Sequence, residues 1–152
     1  MEKIDKSKIT DAEALHQLIN HRFTNRDDVL PRALSEICED IRDFCVYHKE
    51  NQVIACAALH IVWTDLAEIR SVVVAEGNRH QGIGSALVQS CIDEGRRLGI
   101  ASVFCLTHKP EFFHKMGFSI TDKANLPQKV WTDCFHCPRY PECDAVALIR
   151  HI

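Results

Sequence analysis

Along this chain the spacing of apolar positions changes several times, and each change marks an element. Residues 2–9 alternate weakly between apolar and polar, as a half-buried strand does. Thr10-Asp11-Ala12-Glu13 has the spacing of a capping box and opens a helix with Leu15, Leu18 and Ile19 on one face, ending near His21. Residues 22–29 carry no period and read as a loop. A second helical stripe follows at Leu30, Leu34, Ile37, Ile41 and Phe44, with Pro31 near its start. Residues 43–48 and 53–63 then read as strands joined by a turn at Glu50-Asn51, and 66–75 as a third strand after Thr64-Asp65, an antiparallel meander. A long helix over 82–98 repeats Leu87, Val88, Cys91, Ile92 and Leu98 at helical spacing and stops at Gly99. A strand Ala101 to Leu106, a short helix Pro110 to Lys115, a strand from Phe118, an irregular stretch 122–143 and a last strand Ala145 to Arg150 complete the order β-α-α-β-β-β-α-β-α-β-β. No repeat or linker interrupts it, so residues 1–152 read as a single domain.

The stretch from Arg70 to Val88 passes from strand through a glycine-containing turn into the long helix. Backbone N–H groups at a helix start lack intrahelical partners and converge with the positive end of the helix dipole, which makes an anion site suited to phosphate. An ATP-type loop fits Gly77 and Gly82 but has Ile83 where its lysine must stand. The dinucleotide fingerprint fits Gly82 and Gly84 but has Leu87 at its third glycine. The pattern that fits is R-x-x-G-x-G at Arg79, Gly82 and Gly84; the other reading is a glycine-rich helix start without a ligand.

On this motif, and on an element order that covers about the whole chain, the sequence resembles the GNAT family of acyl-CoA-dependent N-acetyltransferases. The resemblance implies an α/β (α+β) fold with a mixed central sheet, two parallel strands, 66–75 and 101–106, that splay apart, and helices on the flanks. It further implies acetyl-CoA as co-substrate. Its pyrophosphate would be held by the backbone of Arg79, His80, Gln81, Gly82, Ile83, Gly84 and Ser85, and its pantetheine arm would lie along Val72, Val73 and Val74 beside Phe113. Splayed strands leave N–H and C=O groups that need partners, which such an arm can supply.

Composition narrows the partners. The chain is 46% hydrophobic and 26% charged with a net charge of -3, and its pI near 6.3 gives no electrostatic footprint for nucleic acid. No apolar run approaches the ~20 residues of a membrane span, and Met1 to Asp5 lacks the apolar segment of a signal peptide. A cytoplasmic protein acting on small molecules, acetyl-CoA and an amino acid, is expected, with a homodimer left open.

A closer resemblance rests on Leu30-Pro31-Arg32, Ala67 to Ser71, Leu106-Thr107 with Phe112-Phe113 and Gly117-Phe118, and Leu126-Pro127 with Lys129-Val130-Trp131. These are similar to acetyltransferases of the N-acetylglutamate synthase type, which acetylate the α-amine of glutamate in arginine biosynthesis. The resemblance implies the short form, without an amino-acid-kinase-like domain. Another small amine or a protein N-terminus is the alternative acceptor, and a non-catalytic acyl-CoA or metal-responsive binding module is the alternative class.

Acetyl transfer needs a base, because an ammonium has no lone pair to attack with. A period of two places Glu68, Arg70 and Val72 on one strand face. Glu68 is the first choice for base, against the reading of a plain Arg70-paired carboxylate, and His108 is the second. Backbone N–H groups at Val72 to Val74 are candidates to stabilise the oxyanion. Many members of the resembled family protonate the departing thiolate with a tyrosine at the position that here holds Phe113; His114, another group, water or unassisted departure must serve instead. A dicarboxylic substrate calls for arginines, which capture carboxylates in bidentate fashion. Arg22, Arg26, Arg32, Arg70 and Lys129 are available, with Arg32 and Arg70 favoured.

Of eight cysteines, Cys38, Cys45, Cys56, Cys91 and Cys105 fall on apolar faces and are expected in the core. Cys134, Cys137 and Cys143 cluster in the polar stretch. They could hold a structural zinc with His136 or His151, pack as free thiols, or form a disulfide.

Overall fold

A computed structural model describes residues 3–23, 31–127 and 145–152, with 21–23 described by backbone alone. The elements are β1 (Lys3–Lys6), α1 (Ala12–Phe23), α2 (Leu34–Glu39), β2 (Phe44–Lys49), β3 (Gln52–Trp63), β4 (Leu66–Val74), α3 (Ile83–Arg97), β5 (Ser102–Thr107), α4 (Pro110–Lys115), β6 (Ser119–Thr121) and β7 (Val146–His151). Their order is the expected one. The strands form one sheet in the order β1-β2-β3-β4-β5-β7-β6. It is mixed, since β4 and β5 run parallel while the other neighbours run antiparallel. Glu50 and Asn51 both take positive φ, 52° and 65°, the backbone of a tight two-residue hairpin between β2 and β3.

Each face of the sheet is covered. Leu87, Val88, Cys91 and Ile92 of α3 pack with Ala55, Ala57, Leu59, Ala67 and Ile69 on one side. Leu15 and Ile19 of α1 and Ile37 of α2 pack with Phe44, Val46, Cys56, Ala58 and Val73 on the other. Leu98, expected on the buried stripe of α3, is 56% exposed, because the helix has ended at Arg97 and Gly99 at φ 81° turns the chain away.

Other expectations are corrected. The helix of residues 30–44 is only Leu34–Glu39, followed by a 3-10 turn at Ile41–Asp43. Phe44 starts β2 opposite Ala58. Helix and strand cover the same core, so Ile37 and Phe44 keep helical spacing without sharing a helix. Only Ile37 of α2 is buried, and its neighbour Cys38 is exposed rather than in the core. The first helix opens from a 3-10 turn at Ile9–Asp11, in which the Asp11 carboxylate accepts from the Lys8 N–H at 2.8 Å, so Thr10 and Glu13 do not form the cap.

The largest correction lies within β4. Its register with β3 passes from Cys56↔Val73 to Ala58↔Arg70, so Ala57 faces both Ser71 and Val72, and Ser71 sits at φ 55°. This β-bulge inserts one residue and reverses the alternation. Before it, Ala67 and Ile69 face α3; after it, Val72 and Val74 do, and Val73 turns to α1 and α2. Glu68 and Arg70 therefore do not share a face with Val72.

Candidate active site

The parallel ladder between β4 and β5 holds at Leu66↔Ser102, Ala67↔Val103 and Glu68↔Phe104 and goes no further. Beyond that point the strands part around a cavity of about 370 Å³, lined by β4 from Ile69 to Val74, by the glycine turn, by Cys105 to Thr107 and by Phe112 and Phe113. The turn is built from left-handed residues. Gly77 (φ 84°), His80 (φ 63°) and Gly82 (φ 78°) bring the chain round to the start of α3, where the Gly82 carbonyl accepts from the Ala86 N–H at 3.0 Å. Arg79 Nε donates to the Val74 carbonyl at 3.1 Å and so ties the turn to the end of β4.

Most of the expected cofactor residues meet at this cavity: Val72, Val73, Val74, Arg79, His80, Gly82, Ile83, Gly84, Ser85 and Phe113 all line it. Val73 is only 3% exposed and its side chain packs on the opposite face, so it offers backbone alone. Gln81 is exposed between two left-handed residues and is not among the lining residues. A long cleft with a phosphate-binding helix start at one end and unladdered strand backbone along its side fits acetyl-CoA. Sequence reasoning missed Asn78, Thr107, Lys109 and Phe112 as lining residues. Asn78 lies inside the motif stretch, and Thr107 and Lys109 stand where β5 ends, the position that offered a signal. Thr107 Oγ1 accepts from the Lys109 N–H at 2.9 Å. Phe113 packs edge-on between Phe112 and Phe118, at centroid distances of 5.0 and 5.3 Å.

On the other side of β4 lies a charged cluster. Glu68 Oε1 is 3.5 Å from Arg70 Nη1, and Arg70 Nη2 is 3.6 Å from Asp40 Oδ2. Arg32 Nη1 is 3.8 Å from Glu36 Oε2. Burial, and after it the charge of Arg70, holds the Arg32 guanidinium below its ordinary value, while Glu68, Glu36 and Asp40 act the other way. His60, paired across the strands with Glu68, has Nδ1 2.6 Å from Asp43 Oδ2. Asp40, Asp43 and His60 bring ligand atoms within 4.8 Å of one another, but Arg70 already supplies positive charge to Asp40. Arg70 lines the large cavity and also a small one shared with Arg32, Glu36, Asp40 and Asp43, so it stands where the two regions meet.

His108, the second choice for base, follows β5 half-buried and does not line the cavity; β5 ends at Thr107, and it is Thr107 that faces inward. His114 is exposed and likewise absent from the lining. Arg26, Lys129, Cys134, Cys137 and Cys143 lie outside the described residues, as does the side chain of Arg22. Among the described residues no helix is long and apolar enough to cross a membrane.

Comparison with known proteins bears on this geometry. The chain is 36% identical over 97% of its length to an uncharacterized N-acetyltransferase of Chlorobaculum tepidum, covering 94% of that protein. It is 32% identical over 86% of its length to the amino-acid acetyltransferase of Mycobacterium tuberculosis, covering 75% of that protein. In fold it is similar to the N-acetylglutamate synthase of Neisseria gonorrhoeae solved with coenzyme A and N-acetyl-glutamate. That likeness has a TM-score of 0.89 at 24% identity and covers 99% of this chain and 35% of that one. Residues 12–118 match the model of the acetyltransferase (GNAT) family. With the splayed strands, the glycine turn and the cleft between them, the chain belongs to that family of acetyl-CoA-dependent acetyltransferases.

Proposed function

We propose that this acetyltransferase moves the acetyl group of acetyl-CoA to the α-amine of an acidic amino acid, L-glutamate, as a cytoplasmic enzyme of arginine biosynthesis. The observation that carries the reading is Arg70, shared by the cofactor cleft and by the pocket that contains Arg32. The ion pairs of these arginines are long, 3.5 to 3.8 Å, whereas a bidentate carboxylate approaches to about 2.8 Å. A substrate carboxylate can therefore displace Glu36 and Asp40 from them. The names of the relatives support an amino acid as acceptor.

In this reading Glu68, which lines neither cavity itself but pairs with Arg70 where the two meet, takes the proton from the ammonium, directly or through a water. The amine then attacks the thioester carbon, and backbone N–H groups along Val72 to Val74 stabilise the oxyanion. Phe113 has no proton to give, so the thiolate departs unassisted or with a proton from water or from another group of the cleft, such as Thr107 or Lys109. CoA-thiol release measured against glutamate, other amino acids, polyamines and N-terminal peptides tests the reading. Turnover with glutamate supports it; turnover with another amine alone discards the acceptor, and acyl-CoA binding without turnover favours a binding module. Structural zinc on Cys134, Cys137 and Cys143 rests on their spacing, and metal analysis of the purified chain decides it, a zinc-free protein sinking the idea.

A further inference from the structure

A second cavity, of about 220 Å³, lies apart from the cleft described above, and its lining includes Lys6, Asp43, Cys45, Ser90, Cys91 and Glu94. None of these residues lines the acetyl-CoA cleft. Lys6 Nζ and Glu94 Oε2 form an ion pair at 2.9 Å across β1 and α3. At the cavity stand two thiols, Cys45 on β2 and Cys91 on α3, only 4% and 3% exposed, with their sulfur atoms 3.8 Å apart.

We propose that Cys45 and Cys91 are a hydroperoxide-reactive dithiol site, which closes to a disulfide joining β2 to α3. A small polar oxidant fits a cavity of this size, and the chemistry asks only for one nucleophilic thiol and a second within reach. The step is written with Cys45 as the nucleophile; the reverse assignment gives the same disulfide, since the two sulfurs share a hydrogen bond in which either can donate. That bond and Lys6 hold the Cys45 thiol below its ordinary value, against burial and the charge of Glu94. The same hydrogen bond, with burial, holds Cys91 above its own. Cys56 and Cys105, also buried, are pushed upward by desolvation and stay neutral thiols.

The step balances. The Cys45 sulfur attacks the outer peroxide oxygen, the O–O bond breaks, and an alcohol or water leaves with the thiol proton while Cys45 becomes a sulfenic acid. Cys91 then attacks the Cys45 sulfur; the S–S bond forms, the S–O bond breaks, and hydroxide leaves as water with the Cys91 proton. Two thiols and one hydroperoxide give one disulfide, one alcohol and one water. The sulfurs must close by about 1.8 Å to reach a bond of about 2.05 Å. The bond would fasten the helix that begins at the glycine turn to the sheet beneath it.

The test is peptide mapping of the full chain. Hydrogen peroxide is added to the native protein, the protein is then unfolded in iodoacetamide, and it is digested without reductant. The expected result is loss of alkylation at both Cys45 and Cys91, with a linked peptide pair lighter by two hydrogens that dithiothreitol separates. Cys45→Ala and Cys91→Ala each remove that pair. The wild-type map stands by itself if either variant fails to fold. Full alkylation of both thiols after peroxide overturns the proposal, as does conversion of Cys45 to sulfinic or sulfonic acid with Cys91 still alkylated. The readout is a mass, so it is separate from the identity of the acceptor amine.

Discussion

The side-chain amide of Asn20 holds the backbone of Arg32 from both sides, accepting from its N–H at 2.9 Å and donating to its carbonyl at 2.8 Å. The same amide nitrogen donates to the His16 carbonyl at 2.8 Å. A residue of α1 thus sets where Arg32 stands over the charged pocket. In Asn20→Leu, of similar size, the loss of these bonds is expected to raise the KM for glutamate about tenfold with a smaller change in kcat, about 1 kcal/mol per bond being at stake. Steady-state kinetics check it, and an unchanged KM would separate Arg32 from the acceptor.

Arg70→Ala removes the guanidinium that pairs with both Glu68 and Asp40. The expected loss in kcat/KM for glutamate is about a hundredfold. Arg70→Lys restores the charge but not the planar fork, and should recover only part of that loss. The KM for acetyl-CoA, measured beside it, should rise by less, since the ion pairs of Arg70 lie on the side of Asp40 and Glu68.

Glu68→Gln keeps the shape and removes the carboxylate proposed as the base. A drop in kcat of about a hundredfold or more is expected, with near-normal binding of both substrates. If the variant turns over at the wild-type rate, Glu68 is an ion-pair partner of Arg70 and another group takes the proton.

Two glycines of the motif should respond differently to alanine. Gly82 is at φ 78° with nothing within 4 Å of an added Cβ, so Gly82→Ala suffers from backbone strain, about 1–2 kcal/mol, and melts lower by about 3–6 °C. Gly84 is helical, and its added Cβ would lie 3.6 Å from the Phe112 ring, ordinary contact. Gly84→Ala should melt no lower than wild type, yet show a raised KM for acetyl-CoA because the methyl group enters the cleft. Melting curves and kinetics on the pair separate these effects.

Alkali should destabilise the fold through its buried thiols. Desolvation raises Cys56 and Cys105 above the ordinary value of 9.0, and for Cys105 the charge of Glu68 adds to it. Above about pH 9 the unfolded chain has lost these protons while the folded chain keeps them. Stability present below that pH therefore falls as pH rises, by up to about 1.4 kcal/mol per unit for each thiol. Denaturant titrations should show this slope, and a Cys56→Ala, Cys105→Ala double variant should show a shallower one even if it starts less stable.

What could be read in the sequence was local. The run from Arg70 to Val88 carries its strand, turn and helix start in adjacent residues, and the structure assembles the cleft around it. Features set by distant partners were not legible. The hold of Asn20 on Arg32 joins residues twelve apart with no shared periodicity. The break between Ile37 and Phe44 was hidden because helix and strand bury the same face. Thr107, Lys109 and Phe112 reach the cleft from the far strand and the helix after it, and only the parting of β4 and β5 makes them neighbours of Val74.

Because Ser71 is a single extra residue, β4 changes phase halfway along its length. What stands on the even positions before it stands on the other side after it, so one unbroken strand turns Arg70 toward Arg32 and turns Val72 and Val74 toward α3. Relatives can be compared only in the right frame. A relative without the bulge aligns by a one-residue gap at Ser71, whereas omitting that gap shifts every later position of the strand to the wrong face; deleting Ser71 from the protein would close Ala57 onto Val72 in a regular ladder and leave Arg70, Val72 and Val73 on the faces they already hold.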